Sequence, residues 1–373
     1  MQSLNLKINR FFYKSILRKV LFLFNSEFLH DLLTLYGEFL GKIQPLRVFM
    51  RKLFRFKNKN LSQEIAGIYF ENPIGLAAGF DYQARLFNIL PSIGFGFETI
   101  GTITNKPYKG NPKPRLARLI KSQSLLVNKG FKNQGIDKIL QKLKGSRLEM
   151  PLGLSIGKTN SPKPMTQAEA IEDILEAFKK AEKTKTPFAY YELNISCPNL
   201  YGNVSFYPPK NLKDLLIKVT SLKLKKPLFI KMPIEKSDAE TLEMLEVIAN
   251  FPVNGVIIGN LQKNRQEPSL DKKEVETHKI GNFSGKPTEK RSNELIRLAY
   301  KKYGKKLIII GCGGVFSGLD AYRKIRLGAS LVQFITGLIF EGPLLAAQIN
   351  LELSSLLKKD GFSHVTQAIG VDA

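Results

Sequence analysis

The sequence predicts a (β/α)8 barrel, the TIM-barrel type of α/β fold, preceded by an N-terminal amphipathic helical extension. Two observations predict the barrel. From residue 65 onward, eight short apolar segments alternate with segments of helical periodicity. Unusual polar residues and glycines follow nearly every apolar segment, where parallel barrels carry their functional groups. A basic, aromatic-rich start predicts the extension. A doubly wound open sheet is the alternative, but no Gly-x-Gly-x-x-Gly motif follows the first strand.

The predicted strands and helices alternate along most of the chain. The strands are residues 74–78, 97–103, 152–156, 190–195, 228–232, 255–258, 307–310 and 331–335. The helices between them include residues 167–182, 212–222, 239–249, 293–303 and 319–327. The break near residues 58–60 predicts a boundary between a helical segment, 1–60, and a barrel domain, 61–373. Residues 262–290 look like an insertion after the sixth strand, with no assigned purpose.

The first 60 residues combine positive charge with aromatic side chains. They contain twelve Lys and Arg, three Asp and Glu, and eleven Phe and Tyr. Apolar residues recur at near-helical spacing, at Phe12, Ile16, Val20, Phe28, Leu32 and Phe39. Glu27, Asp31 and Glu38 fall on the other side of the second helix. No apolar run approaches the roughly 18–20 residues that span a bilayer. We therefore expect these helices to lie in the headgroup region of an anionic lipid surface. An ordinary helical cap on the barrel is the alternative.

Composition narrows the class of protein. The net charge of +25 indicates an anionic lipid, a nucleic acid or an anionic substrate, or else a lysine-rich background on solvated faces. No nucleic-acid-binding motif accompanies the charge, so we expect no nucleic-acid partner. Two cysteines cannot form a disulfide framework, which favours a reducing, intracellular setting. Three unclustered histidines predict no metal site.

Amides and a thiol follow the fourth predicted strand. Asn194, Cys197 and Asn199 come directly after an apolar run, and Asn260 follows the sixth strand. Carboxamides can hydrogen-bond a planar ring that carries carbonyl and amine groups, and a thiol can take a proton from carbon. A strand-to-loop turn with a buried cysteine is the alternative.

Glycines and a lysine at the other strand ends favour a phosphate-bearing cofactor. Residues 311–314 after the seventh strand and 336–337 after the eighth can bring backbone N–H groups close to an anion. Lys231 interrupts an apolar run, and a buried ammonium needs an anionic partner. A reduced flavin would supply one. A salt bridge at the edge of the barrel is the alternative.

These residues, in this order, resemble the quinone-dependent (class 2) dihydroorotate dehydrogenases over about residues 15–365. The motifs lie at residues 72–81, 101–104, 110–116, 157–158, 194–199, 284–287 and 310–314. The resemblance implies FMN-dependent oxidation of dihydroorotate to orotate in pyrimidine biosynthesis, with electrons passed to a membrane quinone. It also implies peripheral attachment to the cytoplasmic face of the membrane. The oligomeric state stays open.

The resemblance also implies roles for individual residues. FMN would be held by Ala78, Gly79, Thr102, Ser155, Asn194, Lys231, Gly285, Gly313, Gly314, Thr336 and Gly337. The substrate would be held by Asn128, Phe131, Asn194, Asn199 and Asn260. Cys197 would act as the base that removes the proton from carbon 5 while carbon 6 passes hydride to the flavin. From the reference pKa of cysteine, we expect flavin reduction to rise towards an apparent pKa of roughly 7–9.

The chain departs from the class 2 pattern at several positions in the pocket. Cys197 stands where class 2 members have serine and the soluble class 1 members have cysteine. Tyr82 replaces the lysine that follows Gly-Phe-Asp, and we expect Lys129 or Arg85 to meet the substrate carboxylate instead. The motif Asn-x-Met-Gly-Phe becomes residues 128–131, one residue shorter.

Three further substitutions bear on the substrate. Ser155 replaces a flavin-facing asparagine, and Gly259 and Leu261 replace threonines. They motivate a second hypothesis, an FMN barrel that oxidises another cyclic amide or uses a soluble acceptor such as fumarate. A third hypothesis is a non-catalytic membrane-binding barrel protein.

Overall fold

The computed structural model describes residues 2–202 and 204–373. Its strands are β1 (Gln63–Ile65), β2 (Ile68–Phe70), β3 (Ile74–Leu76), β4 (Phe97–Ile103), β5 (Leu116–Leu119), β6 (Ser124–Val127), β7 (Leu152–Ile156), β8 (Tyr190–Asn194), β9 (Leu228–Met232), β10 (Gly255–Ile258), β11 (Asn282–Gly285), β12 (Ile308–Cys312) and β13 (Leu331–Phe334). Eight of them, β3, β4, β7, β8, β9, β10, β12 and β13, form a closed parallel barrel. The predicted barrel is confirmed, and its strands are the eight predicted ones with small shifts at the ends.

Thirteen α-helices accompany the strands in the described residues. They are α1 (Gln2–Phe12), α2 (Arg18–Leu21), α3 (Ser26–Lys42), α4 (Gln44–Phe54), α5 (Ile136–Leu143), α6 (Gln167–Lys183), α7 (Pro209–Ser221), α8 (Asp238–Ala249), α9 (Lys272–Glu276), α10 (Glu289–Tyr303), α11 (Gly318–Arg326), α12 (Thr336–Glu341) and α13 (Leu345–Lys359). A π-helical segment, Tyr13–Leu17, joins α1 to α2. Capping boxes at Thr166 and Ser237 begin α6 and α8, where each side chain satisfies a backbone N–H of the first turn.

The β1–β2 hairpin closes the amino-terminal end of the barrel. Ile65 and Phe70 of the hairpin pack with Phe97, Tyr190 and Phe229, which begin or lie early in barrel strands. Apolar packing therefore closes this end, and a ligand has room only at the carboxyl ends of the strands, where such barrels carry their functional groups.

A three-stranded sheet, which no sequence pattern predicted, lies over the carboxyl end of the barrel. Strands β5, β6 and β11 form this antiparallel lid sheet. The hydroxyls of Ser284 in β11 and Thr336 in α12 are 2.7 Å apart, which ties the sheet to the barrel mouth. Residues 262–290 thus have a structural purpose, because they supply α9 and β11. Arg265 holds this segment by donating to the carbonyls of Val275 and Gly281.

Helix α3 is oriented with its acidic face towards the barrel. Glu27 lies 2.8 Å from Arg115, and Glu38 lies 3.1 Å from Lys142 and 3.4 Å from Arg85. Most of its apolar side chains are exposed instead, although Leu29 is buried and Leu40 packs against the core. This is the reverse of an ordinary surface helix, whose apolar stripe faces the core.

The exposed apolar side chains are concentrated in the extension. Among the described residues, 24 large apolar side chains are exposed, and 18 of these lie between residues 4 and 49. The most exposed are Leu23, at 83%, and Phe11, at 73%. All six apolar positions of the predicted amphipathic pattern are among them. In residues 2–202 and 204–373, no helix has the length and hydropathy needed to cross a bilayer.

Candidate active site

A cavity of about 1160 Å³, including its open mouth, lies at the carboxyl end of the barrel. Strand ends, the lid sheet and His30 of α3 form its wall. Fourteen residues predicted from sequence line it: Ala78, Gly79, Thr102, Phe131, Asn194, Cys197, Asn199, Lys231, Asn260, Gly285, Gly313, Gly314, Thr336 and Gly337. Residues far apart along the chain therefore meet in one pocket of the size that binds cofactors and substrates.

Backbone atoms of glycine-containing turns form one side of the cavity. Gly285 and Gly313 have φ of +84° and +103°, conformations that side-chain-bearing residues rarely adopt. A Cβ on Gly313 would lie 2.5 Å from Thr288 Oγ1, and one on Gly337 would lie 2.1 Å from the Val315 carbonyl oxygen. Glycine is thus required here, and the turns let a ligand approach the backbone closely. This arrangement fits the predicted phosphate-bearing cofactor.

Lys231 points into the barrel and has a protein partner. Its Nζ lies 3.8 Å from Oε1 of Glu192, and both side chains are buried. Glu192 also accepts a hydrogen bond of 2.6 Å from Ser155. Lys231 therefore forms its salt bridge inside the barrel, and not at the barrel edge, where the alternative placed it.

Replacing Lys231 with methionine is expected to lower the free energy of unfolding by about 3–5 kcal/mol, because removing one partner leaves the Glu192 carboxylate buried without its cation. Urea unfolding measures this change. Lys236→Met, which breaks the surface pair with Glu240, is the control and should shift the midpoint far less. The double variant Lys231→Met/Glu192→Gln should recover part of the loss. An unchanged midpoint for Lys231→Met would contradict the prediction.

Three asparagines present amide groups to the cavity. Asn194 Nδ2 donates to Thr102 Oγ1 at 2.8 Å, Asn199 Nδ2 to the Val127 carbonyl at 3.1 Å, and Asn260 Nδ2 to Ser196 Oγ at 2.5 Å. A carboxamide nitrogen has two N–H donors. In the described part of the chain each Nδ2 uses only one, so one N–H of each asparagine remains for a ligand.

The thiol of Cys197 lies in the same wall. Burial raises its pKa to about 11, although the ammonium groups of Lys231 and Lys158 act in the opposite direction. The apparent pKa of 7–9 expected from the reference value is therefore too low for this environment. The thiolate of Cys197 is therefore a stronger base than the thiolate of a free cysteine. A smaller fraction of Cys197 is in the thiolate form at neutral pH.

Ser155 lies beneath the cavity and not in its wall, contrary to the predicted contact with the cofactor. Its hydroxyl is 2.9 Å from Thr102 Oγ1 and donates to Glu192. Ser155 therefore belongs to a buried chain of contacts that runs from Lys231 through Glu192 to Thr102 and Asn194.

Comparisons with known proteins agree with this geometry. The family model of dihydroorotate dehydrogenase matches residues 60–357. The chain is 36% identical over 342 residues to dihydroorotate dehydrogenase (quinone) of Christiangramia forsetii, covering 91% of this chain and 97% of that protein. It is 38% identical over 318 residues to the protein of the same name from Sulfurimonas denitrificans, covering 84% and 86%. The chain belongs to the dihydroorotate dehydrogenase family. The crystal structure of Eimeria tenella DHODH with ferulenol matches with a TM-score of 0.83 at 30% identity, covering 93% and 96%.

The dihydroorotate dehydrogenase motif around Phe131 has a different register from the one predicted. Counted back from residues 130–131, Asn-x-Met-Gly-Phe places Val127 at the asparagine position and Lys129 at the methionine position, without a deletion. Val127 and Lys129 line the cavity, whereas Asn128 does not. The Asn128 side chain instead accepts a hydrogen bond of 2.9 Å from Asn111. The predicted substrate contact of Asn128 is therefore corrected, because adjacent side chains point to opposite faces of an extended strand.

No sequence pattern identifies His30, Val127 and several apolar residues as part of the cavity wall. His30 reaches the cavity from α3, with Nε2 2.9 Å from the Phe80 carbonyl oxygen. Its burial lowers its pKa to about 4, so it is neutral at physiological pH. No spacing rule connects His30 with the strand ends. Val127 becomes a candidate only if the motif is counted back from the Gly-Phe pair without a gap, which spacing alone does not require.

Proposed function

We propose that this protein oxidises dihydroorotate to orotate in pyrimidine biosynthesis, with FMN in the cavity and a membrane quinone as electron acceptor. The observation that carries the proposal is the convergence of Cys197, three asparagines and the glycine turns on one cavity. Membership of a flavin-dependent family supports it. The quinone acceptor is supported by the names of the relatives.

When bound, FMN would supply the hydride acceptor for carbon 6 of dihydroorotate. The residues of the chain bind the substrate, orient it and remove its proton. Asn194, Asn199 and Asn260 each offer an N–H group to the pyrimidine ring and fix its orientation. The deprotonated sulfur of Cys197 takes the proton from carbon 5, which leaves orotate with a new double bond between carbons 5 and 6.

The backbone turns at Gly285, Gly313 and Gly337 would hold the phosphate side of FMN, where side chains would obstruct it. The buried Lys231 would lie near the ring. Its ion pair with Glu192 keeps the ammonium fixed, and a fixed cation stabilises negative charge that develops nearby without reorganisation.

The purified protein is expected to contain about one FMN per chain, because the fold provides one such cavity among the described residues. Dihydroorotate should bleach the flavin absorbance under anaerobic conditions, and a short-chain quinone should restore it faster than fumarate does. Bleaching by dihydrouracil but not by dihydroorotate would show that another cyclic amide is the substrate. A colourless protein that takes up no FMN would favour the non-catalytic hypothesis.

We also propose that the extension binds an anionic lipid surface at the cytoplasmic face of the membrane. The outward apolar face of α3 and the basic charge of residues 1–60 support this proposal. An apolar cluster of Leu116, Leu125, Phe340 and Phe22 connects the lid sheet with the extension. Such a surface suits the passage of a lipid-soluble quinone from the membrane to the cavity.

A further inference from the structure

Lys129 and Tyr82 form a contact that departs from the family pattern. Tyr82 stands where the family has a lysine after Gly-Phe-Asp, and Lys129 stands where it has a methionine before Gly-Phe. Both line the cavity, and Lys129 Nζ lies 4.6 Å from the centre of the Tyr82 ring. The site thus keeps a lysine, but the lysine comes from the end of β6 and not from the end of β3.

The ammonium group of Lys129 is buried with no carboxylate at ion-pair distance in the described residues, although the charges of Asp31 and Glu27 act on it from further away. The residue is 8% exposed, and within residues 2–202 and 204–373 its Nζ makes no hydrogen bond or ion pair. The nearest acids are engaged elsewhere, because Lys132 Nζ lies 2.9 Å from Glu27 and 3.2 Å from Asp31. Burial lowers the pKa of Lys129 to about 8, so the group is still mostly charged at neutral pH. A buried charge of this kind is stabilised by an anionic ligand.

Tyr82 is held in place from the side of α3. Its ring stacks on His30 with centroids 5.3 Å apart, and its hydroxyl donates to Asp31 Oδ1 at 2.8 Å. Lys129 therefore lies against a fixed ring. A cation–π contact attracts the ammonium without using its N–H donors, which stay available for an acceptor in the cavity.

Arg85, the other residue expected to meet the substrate carboxylate, contacts α3 instead. Its guanidinium lies 3.4 Å from Glu38 and donates to Thr34 Oγ1 at 3.1 Å. Arg85 is absent from the cavity wall in the described part of the chain. These contacts hold α3 against the barrel, so Arg85 is a structural residue.

We propose that Lys129 binds the carboxylate of the substrate in this protein, and that Tyr82 positions its ammonium. This inference rests on the proposed function, because it assumes a substrate that is a pyrimidine carrying a carboxylate. It assigns the anion-binding role to a residue that the family pattern does not use for it.

Orotate and uracil, which share a ring and differ in the carboxylate, provide the test. Their dissociation constants are measured on the FMN-loaded protein from the absorbance change of the flavin. Lys129→Met is expected to weaken orotate binding by about 10–150-fold, the range for a hydrogen bond to a charged group, and to leave uracil binding within about twofold. Lys129→Arg should restore much of the orotate affinity. Arg85→Met is the matched control and should bind orotate like the wild type.

The outcomes separate the two proposals. Wild-type protein that binds FMN but not orotate would overturn the proposed function and this inference together. Wild-type protein that binds orotate, with Lys129→Met within about threefold of it, would overturn the assignment of Lys129 alone. Equal weakening of orotate and uracil would also overturn it, because the lysine would then support the pocket and not the carboxylate. Lys129→Gln replaces Lys129→Met if the latter does not retain FMN.

Discussion

Cys197→Ala is expected to slow flavin reduction by dihydroorotate by about 10²–10⁴-fold, the usual contribution of a positioned general base. The thiol lies in the cavity wall with the three asparagines, and no histidine other than the neutral His30 lines the described part of the cavity. Alanine removes the proton acceptor but keeps the backbone and leaves the asparagines in place. Anaerobic stopped-flow absorbance of the flavin measures the rate at saturating dihydroorotate.

The wild-type rate should also depend steeply on pH. Burial raises the pKa of Cys197 to about 11, so the reactive thiolate is the minor form up to that pH. Its fraction, and with it the rate, should rise about tenfold per pH unit between pH 7 and 9, with no plateau below about pH 10. Cys197→Ser should reduce the flavin more slowly than the wild type across this range, because a hydroxyl gives up its proton less readily than a thiol.

Cys312 offers a matched control for this pH dependence. It is the other thiol of the chain, it lines the same cavity, and burial raises its pKa too. Cys312→Ala should keep the steep rise, whereas Cys197→Ala should lose it. If Cys197→Ala retained both the wild-type rate and the wild-type slope, another group would have to be the base.

The barrel and most of the site could be predicted because their signals are local. Each barrel strand is a short, mostly apolar run, and the residues that carry chemistry end it or follow it, as Asn194 ends β8 and Asn260 follows β10. Once the runs are assigned to one parallel barrel, their carboxyl ends must meet at one rim. The convergence of Cys197 with Asn260 and Gly313 therefore follows from topology alone.

The position of Asn128 shows where local signals fail. A shift of one residue in the register of an extended segment moves a side chain to the opposite face. Assuming a deletion placed Asn128 in the pocket, whereas the structure has Val127 and Lys129 there. Sequence spacing could not decide between these registers. The pairing of β6 with β11, which aligns Val127 with Asn282, decides it in the folded chain.

The lid sheet could not be predicted for a related reason. Its strands have four residues each, too few to show a period, and the pairing of β6 with β11 joins segments far apart in sequence. The raised pKa of Cys197 could not be predicted either, because the burial of the thiol depends on residues that meet only in the folded chain. A reference pKa taken from the sequence cannot include it.

The orientation of α3 leads to a second prediction with a large expected effect, on the binding of the protein to a lipid surface. An ordinary surface helix buries its apolar stripe, but α3 uses Glu27 and Glu38 to contact cations on the barrel and leaves Phe28, Leu32 and Phe39 exposed. An exposed apolar surface of this kind is unfavourable in water unless another phase covers it. Given the basic charge of the segment, an anionic lipid surface is the phase that fits.

The triple variant Phe11→Glu/Leu23→Glu/Phe39→Glu is therefore expected to lose binding to anionic phospholipid vesicles. Burying one large apolar side chain contributes roughly 1.5–3 kcal/mol, so losing three should weaken the association by about 10³-fold or more. Co-sedimentation with vesicles measures it. Tyr69→Glu/Ile120→Glu/Ile280→Glu is the control, because these exposed side chains lie outside the extension and carry the same change in charge. Equal loss of binding in both triple variants would mean that net charge, and not the apolar face, holds the protein at the lipid surface. Flavin reduction by dihydroorotate should stay normal in both, because none of the six residues lines the cavity.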